Sequence, residues 1–422
     1  MRLACLTAAL AAPFLPALAT AAPSEDWSAR IAADGLASTA PAIDALAAPT
    51  PDDRLALGAA RFLGGVEKAL QARWAIGQSK EISFLPVFRL PLAPNPAPAP
   101  FDPALLETTL AGLSADMDTA RAALADIPEA ADIALDLRLE DLWLDINASG
   151  SRDPGEGALD LAGFMLASQA RWNPETGQMM PPPQVPATIP VTFDTADAAW
   201  LSAYTHLLSA TSDIVRAFAP TEPIRRVYEG RMTMAKAGIP GPLEAAIFGR
   251  AETNPSRYPN EIDAAAMAIL ALRQQPLPER TRAARDHFLA MIADNRRFWT
   301  LVAAETDNRQ EWIPNATQTA ALGMAFPQGM DIAWQDVLAD GEKLLKGELL
   351  VPYLAAGDAQ AGIGFDIGGW LESPGPMDLV EWLHGMGMQP WLKQGALVDS
   401  RSWAALEQMT SGNALLFAVF LN

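Results

Sequence analysis

Residues 145–156 carry oxygen-bearing side chains at the spacing of an EF-hand calcium loop. Such a loop places its oxygen ligands at positions 1, 3, 5, 7, 9 and 12, with a glycine at position 6 where the chain turns sharply. Gly150 stands at position 6. The spacing predicts a calcium site whose ligands are Asp145, Asn147, Ser149, Ser151 through its carbonyl group, Asp153 and Glu156.

The expected calcium affinity of this loop is low. Calcium takes six to eight oxygen ligands, and three carboxylates in the loop suggest a dissociation constant of roughly 10⁻⁴–10⁻³ M, as in extracellular modules. Arg152 stands at position 8, where an aliphatic residue is usual, and Pro154 delays any following helix. The alternative interpretation is a polar surface turn in an acidic protein.

The segments that flank the loop decide whether it belongs to a complete helix–loop–helix hand. Residues 133–139 alternate apolar and polar side chains as a strand does, but part of the stretch also fits a helix, so both remain open. Residues 159–168 have helical periodicity. If the preceding segment is extended, the loop is EF-hand-like rather than a full EF-hand.

The other candidates for chemistry are three histidines, His206, His287 and His384, none of them at metal-site spacing. The sequence has no Gly-x-Ser-x-Gly motif and no Walker-type phosphate loop. Many tryptophans lie in the C-terminal third, where they could line a pocket or fill a helical core. The rival hypothesis is a hydrolase in which His206 or His384 meets a carboxylate in a tryptophan-lined pocket.

Residues 1–21 predict a secretory signal peptide. An apolar run follows Arg2 and ends in small residues with Ala-x-Ala sites, so cleavage is expected after Ala21. The expected location of the mature protein is therefore periplasmic or secreted. The sole cysteine, Cys5, lies in the segment to be removed, which excludes disulfides and thiol catalysis from the mature chain.

The charge of the chain limits its expected partners. A formal net charge of −20 argues against nucleic acid and anionic membranes, and it is compatible with attraction of cations. No apolar run after the leader reaches the roughly 20 residues that span a bilayer, so no transmembrane segment is expected in the mature chain.

Composition and periodicity predict a mainly α fold. Alanine and leucine dominate, and 422 residues exceed the usual size of a single core. We expect an irregular multi-helix architecture in two packed lobes, residues 22–190 and 191–422, with proline-rich connections. Residues 53–77 resemble one helix of a TPR-like hairpin, although no repeat of fixed period follows.

Two of the expected helices have clear start signals. One runs over residues 103–125 with Pro103 at its first position and Asp102 as its cap. The other runs over residues 196–217 and is capped by Asp194 or Thr195.

Most of the mature chain resembles a group of exported, mainly helical bacterial proteins with no assigned activity. The motifs that carry the resemblance are Glu311–Asn315, Leu350–Tyr353, Met377–Leu383 and Phe84–Pro91. The resemblance implies a helical fold with a calcium loop at 145–156, and it implies no catalytic residue. The sequence therefore favours a binding or scaffold role over catalysis, with calcium and another envelope protein as the expected partners.

Overall fold

The computed structural model describes residues 25–78, 87–90, 92–128, 130–161, 172–173, 178–179, 186–239, 261–323, 326–353, 362–410, 412, 414, 418 and 421. This part of the chain is mainly helical, as expected. None of its helices is both long enough and apolar enough to cross a membrane. The expected signal peptide and the helical stretch predicted at 162–168 lie outside the described residues.

Four helices form the N-terminal part: α1 Trp27–Asp34, α2 Leu36–Asp44, α3 Pro51–Ala75 and α4 Leu105–Ala125. The described residues from 186 to 345 then contain α5 Thr195–Ala217, α6 Thr221–Lys236, α7 Glu261–Leu272, α8 Pro278–Val302 and α9 Met330–Leu345. The described chain ends with α10 Ile367–Glu372, α11 Leu379–His384 and α12 Arg401–Met409.

The strands are short and form three small antiparallel sheets. They are β1 Leu135–Arg138, β2 Trp172–Asn173, β3 Gln178–Met179, β4 Pro190–Phe193, β5 Val351–Pro352, β6 Ile363–Phe365 and β7 Leu392–Gln394. β1 pairs with β4, β2 with β3, and β6 lies between β5 and β7.

Pairing with β4 explains why residues 135–138 are a strand. Leu135 lies opposite Phe193 and Leu137 opposite Val191, so the alternating leucines are buried on one face. The periodicity left helix and strand open because the segment is too short to decide by itself.

The first residues of α3 and α4 show how local signals set helix boundaries. α3 begins with a capping box, in which Thr50 and Asp53 bond each other's backbone N–H groups. The expected start of α4 at Pro103 was two residues early. The Asp102 carboxylate accepts the N–H of Ala104 at 2.9 Å, which forms a turn that precedes the helix at Leu105.

Helix α5 lies at the centre of the packing. It contacts α8 extensively and also packs against α4 and α3. One hydrophobic cluster joins α3 and α4 to α5, and another joins α5 to α8, α9 and the end of the chain. Because α5 contacts helices of both expected lobes, the boundary near residue 190 stays a prediction.

A buried asparagine on α8 joins three distant segments. Asn295 has no exposed area. Its Nδ2 donates to the carbonyl oxygen of Leu421 at 2.8 Å, and its Oδ1 accepts from Trp334 Nε1 at 3.1 Å and Gln335 Nε2 at 3.2 Å. The side chain therefore fixes α9 and Leu421 against α8.

We expect Asn295→Ala to lower the free energy of unfolding by about 2–4 kcal/mol, because it leaves a buried carbonyl and a buried indole N–H without partners. Gln335→Ala removes one bond from the same oxygen at a half-buried position and should cost less than about 1 kcal/mol. Urea unfolding followed by circular dichroism measures both values. Equal losses in the two variants would contradict the central role of Asn295.

Candidate functional site

Loop 145–156 is closed by a short antiparallel pairing rather than by two helices. Residues 142–144 run against 156–158, with the N–H of Leu144 donating to the carbonyl oxygen of Glu156 at 2.9 Å. The chain therefore approaches the loop in extended form, and residues 158–161, the last ones described before residue 172, are helical. The residues that enter the loop therefore do not form the first helix of a helix–loop–helix hand.

Asp145 and Gly150 form the sharp turn that the spacing predicted. The Asp145 carboxylate accepts the backbone N–H of Ser149 at Oδ1 and that of Gly150 at Oδ2, each at 2.8 Å. Gly150 has φ +76°, in the left-handed region that glycine adopts without steric cost. The residue at position 1 thus draws the middle of the loop back over itself.

Glu156 crosses the loop from its other end. Its side chain is 4 % exposed. Oε1 accepts the N–H of Ile146 at 2.9 Å and Oε2 accepts the N–H of Asp153 at 2.8 Å. Both oxygens that a bidentate ligand would offer therefore face the loop interior, where backbone amides bind them.

The remaining predicted ligands also contact one another. Asn147 Nδ2 donates to Asp153 Oδ2 at 2.6 Å, and Ser149 Oγ donates to the carbonyl oxygen of Ser151 at 2.9 Å. The predicted ligand residues are therefore joined by hydrogen bonds within one loop. The carboxylates of Asp145, Asp153 and Glu156 do not, however, come within 4.8 Å of one another as a group.

Helix α3 supports the loop from outside, a feature that the sequence did not reveal. Glu67 Oε2 accepts the N–H of Asp145 at 2.7 Å, and Gln71 Nε2 donates to the carbonyl oxygen of Asp145 at 2.7 Å. These residues lie one helical turn apart, and together they bind both backbone polar groups of Asp145. Burial raises the pKa of Glu67 above its usual range, and the nearby Asp145 and Glu156 carboxylates add to the rise.

The structure gives the unusual residue at position 8, Arg152, a role in holding the loop. Its Nη1 donates to the carbonyl oxygen of Glu140 at 2.8 Å, which fixes the far side of the loop to the segment that precedes it. A paired EF-hand normally supports this position through an aliphatic contact. Here the loop is supported by side chains of α3 at Asp145 and by the bond from Arg152 to Glu140.

A second acidic group lies at the start of α5, and the sequence gave no local signal for it. Carboxylate oxygens of Asp194, Glu305 and Glu311 lie within 4.8 Å of one another. Asp194 caps α5 and accepts the N–H of Ala196 at 2.7 Å. Glu311 is 6 % exposed and its Oε1 accepts the N–H of Arg309 at 2.6 Å.

Burial sets the protonation of this group. It raises the pKa of Glu305 from 4.5 to about 7, and the neighbouring Asp194 and Glu311 carboxylates raise it further against an opposing hydrogen bond from Gln318. Burial also raises the pKa of Glu311, and that of Asp197 beneath it rises well above the usual range. The raised pKa favours the protonated form of Glu305. The carboxylate oxygens of the group have the hard-donor character that suits Ca²⁺ or Mg²⁺.

The raised pKa of Glu305 predicts a loss of stability with rising pH. Between the unfolded pKa of 4.5 and the folded pKa of about 7, the folded state binds a proton that the unfolded chain has released. The stability that this proton contributes is therefore fully present below pH 4.5 and is lost as the pH rises through 7. We expect Glu305→Gln, which keeps a donor toward Asp194, to be more stable than the parent protein at pH 8 by about 1–2 kcal/mol, after allowance for partial exposure. At pH 4 the two proteins should be equally stable.

Urea unfolding in the presence of a chelator at pH 4 and pH 8 checks this expectation. Glu348→Gln at an exposed position is the matched control and should change neither value. The expectation would be contradicted if the difference in unfolding free energy between Glu305→Gln and the parent protein were the same at pH 4 and pH 8.

The histidines occupy two places in the described structure, a half-buried pair between α5 and α8 and one exposed side chain on α11. His206 on α5 and His287 on α8 face each other with their Nδ1 atoms 2.8 Å apart, and His206 Nε2 lies 4.0 Å from Asp294 Oδ2. The nearby Ser202 hydroxyl donates to Asp294 at 2.6 Å rather than to an imidazole, so it is not activated as a nucleophile. His384 is exposed at the end of α11.

The C-terminal tryptophans mostly fill space or bind backbone. Several are buried, among them Trp299, Trp334 and Trp370. Three indole N–H groups donate to carbonyls of one proline-rich turn: Trp370 to Gly375, Trp382 to Pro376 and Trp391 to Ser373. The core-packing interpretation fits the three buried tryptophans, whereas Trp382 and Trp391 are half-buried.

Two adjoining open cavities of about 440 and 390 Å³ lie beside α10, and both include Asp366 and Gly369. Trp391 lines one of them, but no histidine lines either. Their charged residues are engaged in ion pairs, such as Lys393 with Asp366 at 2.7 Å. The tryptophan-lined pocket with a histidine that the hydrolase hypothesis requires is not found at these cavities.

Comparison with known proteins adds no functional assignment. No family model matches the chain, and searches of curated proteins and of solved structures find no significant match.

Proposed function

We propose that the protein is an exported calcium-binding protein, periplasmic or secreted, in which Ca²⁺ bound to loop 145–156 stabilises a helical scaffold that binds another envelope protein. The observation that carries the calcium site is the Asp145–Gly150 turn. A carboxylate at position 1 that accepts two loop amides around a left-handed glycine is the backbone arrangement that presents oxygen ligands inward.

Burial of Glu156 supports the same proposal. Glu156 is 4 % exposed, and its oxygens accept the N–H groups of Ile146, Asn147 and Asp153, so both oxygens are directed into the loop. A calcium ion within the loop takes both oxygens. The three carboxylates must then move closer together, so calcium binding contracts the loop.

Support from α3 favours a structural role for the ion. Glu67 and Gln71 hold Asp145 by its N–H and carbonyl groups, so the loop is fixed to a core helix that does not depend on the ion. Calcium is therefore expected to increase the stability of a folded protein rather than to induce folding. This distinguishes the loop from sensor EF-hands, which rearrange helices on binding.

We expect 10 mM Ca²⁺ to stabilise the chelator-stripped protein by about 1.4–2.7 kcal/mol, which is the mass-action gain for dissociation constants of 10⁻³ to 10⁻⁴ M. Glu156→Gln should abolish the gain, since it removes the bidentate ligand. Asp153→Asn should weaken binding about tenfold through the lost charge, with little change in the calcium-free protein, because the asparagine oxygen still accepts from Asn147. Calorimetric titration and thermal unfolding measure both effects.

Asp160→Asn is the matched control, because Asp160 is an exposed carboxylate four residues beyond Glu156 and outside the ligand positions. Glu305→Gln tests whether the ion binds instead at the acidic group near α5. A parent protein with no saturable binding up to 10 mM, or binding that Glu305→Gln abolishes and Glu156→Gln does not, would exclude the loop as the calcium site.

A further inference from the structure

We propose that α11 binds a basic amphipathic helix of another protein. The apolar side of that helix packs on the α11 face, which consists of four exposed apolar residues: Leu379, Val380, Leu383 and Met386. Its cationic side chains lie toward the acidic residues beside this face. The inference rests on the scaffold role proposed above, for which it names the chemistry of the partner, and it does not depend on calcium binding by loop 145–156.

The side chains of the α11 face point into solvent. Leu383 is 89 % exposed and Val380 is 70 % exposed. Met386 and Leu379 are 55 % and 43 % exposed. Leu383 follows Val380 by three residues and Leu379 by four, so these three side chains share one side of the helix. Single exposed apolar residues are common on protein surfaces, whereas a contiguous apolar group marks an interaction site.

Trp382 attaches α11 to the rest of the protein. Its ring lies edge-to-face with that of Phe365 on β6, with 5.3 Å between the ring centroids. Its Nε1 donates to the carbonyl oxygen of Pro376 at 3.2 Å. Because the helix is held through Trp382, the side chains of Val380 and Leu383 are directed away from the protein.

Contacts at both ends fix the conformation of α11. At its start, the Asp378 carboxylate accepts the N–H of Val380 at 2.9 Å and the Nε–H of Arg273 at 2.6 Å. At its end, Gly385 has φ +94°, and a Cβ atom at this position would overlap the Tyr353 hydroxyl group. A surface that is already ordered loses little conformational entropy when a partner binds, so α11 is well suited to recognition.

The charge beside the α11 face is acidic. Between residues 374 and 391 the only Asp, Glu, Lys or Arg residues are Asp378 and Glu381. Asp378 is paired with Arg273, whereas Glu381 is exposed and makes no ion pair with any described residue. The whole chain has a formal net charge of −20, so its field attracts a cationic partner and increases the rate of encounter.

A helix that carries lysine or arginine fits this surface better than a membrane or a second copy of the chain. Helices that lie on membranes are typically rich in lysine and arginine, which α11 lacks. A two-fold dimer would place the same acidic surface on both sides of the interface. Apolar residues three and four apart are the pattern by which helices pack, and the flexible side chain of Met386 adapts to a partner.

The test is a binding titration of the purified protein with a labelled synthetic peptide in which leucine and lysine form an amphipathic helix, followed by fluorescence anisotropy. The expected result is saturable binding that weakens as salt is added. Leu383→Ser should weaken binding about 10–100-fold, since it removes an apolar side chain that the peptide buries. Glu381→Gln should weaken it about twofold to fivefold through the lost charge.

Ile332→Ser is the matched control, because Ile332 on α9 is 66 % exposed and lies outside the α11 face. It should leave the affinity unchanged, and a peptide with glutamate in place of lysine should not bind. Circular dichroism establishes that each variant is folded. Peptide binding should be the same with a chelator and with added Ca²⁺, so failure of the calcium site is distinguished from failure of this inference.

A parent protein that does not bind the lysine peptide saturably overturns the proposal, and this result needs no variant. Equal affinities of the parent and folded Leu383→Ser also overturn it, since they show attraction by net charge alone. Binding of the parent to phosphatidylcholine vesicles, or its dimerisation at rising concentration, overturns it as well where Leu383→Ser abolishes that association and the peptide does not compete with it.

Discussion

The rest of the structure depends on the burial of α5 between α3 and α4 on one side and α8 on the other. Most polar side chains on a helix enclosed in this way need a partner, since an unpaired polar group in the interior costs about 1–3 kcal/mol. Arg121 binds the hydroxyls of Thr205 and Ser209, and Arg280 binds Asp213 at 2.9 Å. The polar groups of greatest chemical interest lie along this helix, with the acidic group at its start and the histidine pair at its middle.

The loop at 145–156 obeys a different constraint. It lies at the surface, and two side chains of α3 bind the backbone of Asp145, so its turn is preformed while its carboxylates remain apart. The predicted ligand residues of the loop are neighbours in sequence, whereas the groups around α5 come from segments far apart along the chain. The protein therefore combines a predicted site defined by local spacing with polar groups that only the packing of α5 brings together.

This difference determines what the sequence could predict. The turn at Gly150, the cap at Asp194 and the helix Thr195–Ala217 follow from signals within a few residues, and the structure agrees with them. The start of α4 was less predictable, because the helix begins two residues after Pro103. The Asp194–Glu305–Glu311 group and the His206–His287 pair join residues far apart along the chain, so no spacing rule could have found them. The segment at 135–138 is intermediate, because its pairing with β4 decides a conformation that its own pattern leaves open.

The pairing of β1 with β4 also has a kinetic consequence. It joins Arg138 to Pro190, so the chain between them must close into a ring before the ribbon can form. The entropy lost in such a closure grows with the length of free chain. The turn at 142–158 closes on itself through contacts between near neighbours and thereby shortens the free segment. Formation of the turn should therefore precede the ribbon, and an ion that tightens the turn would accelerate folding as well as oppose unfolding.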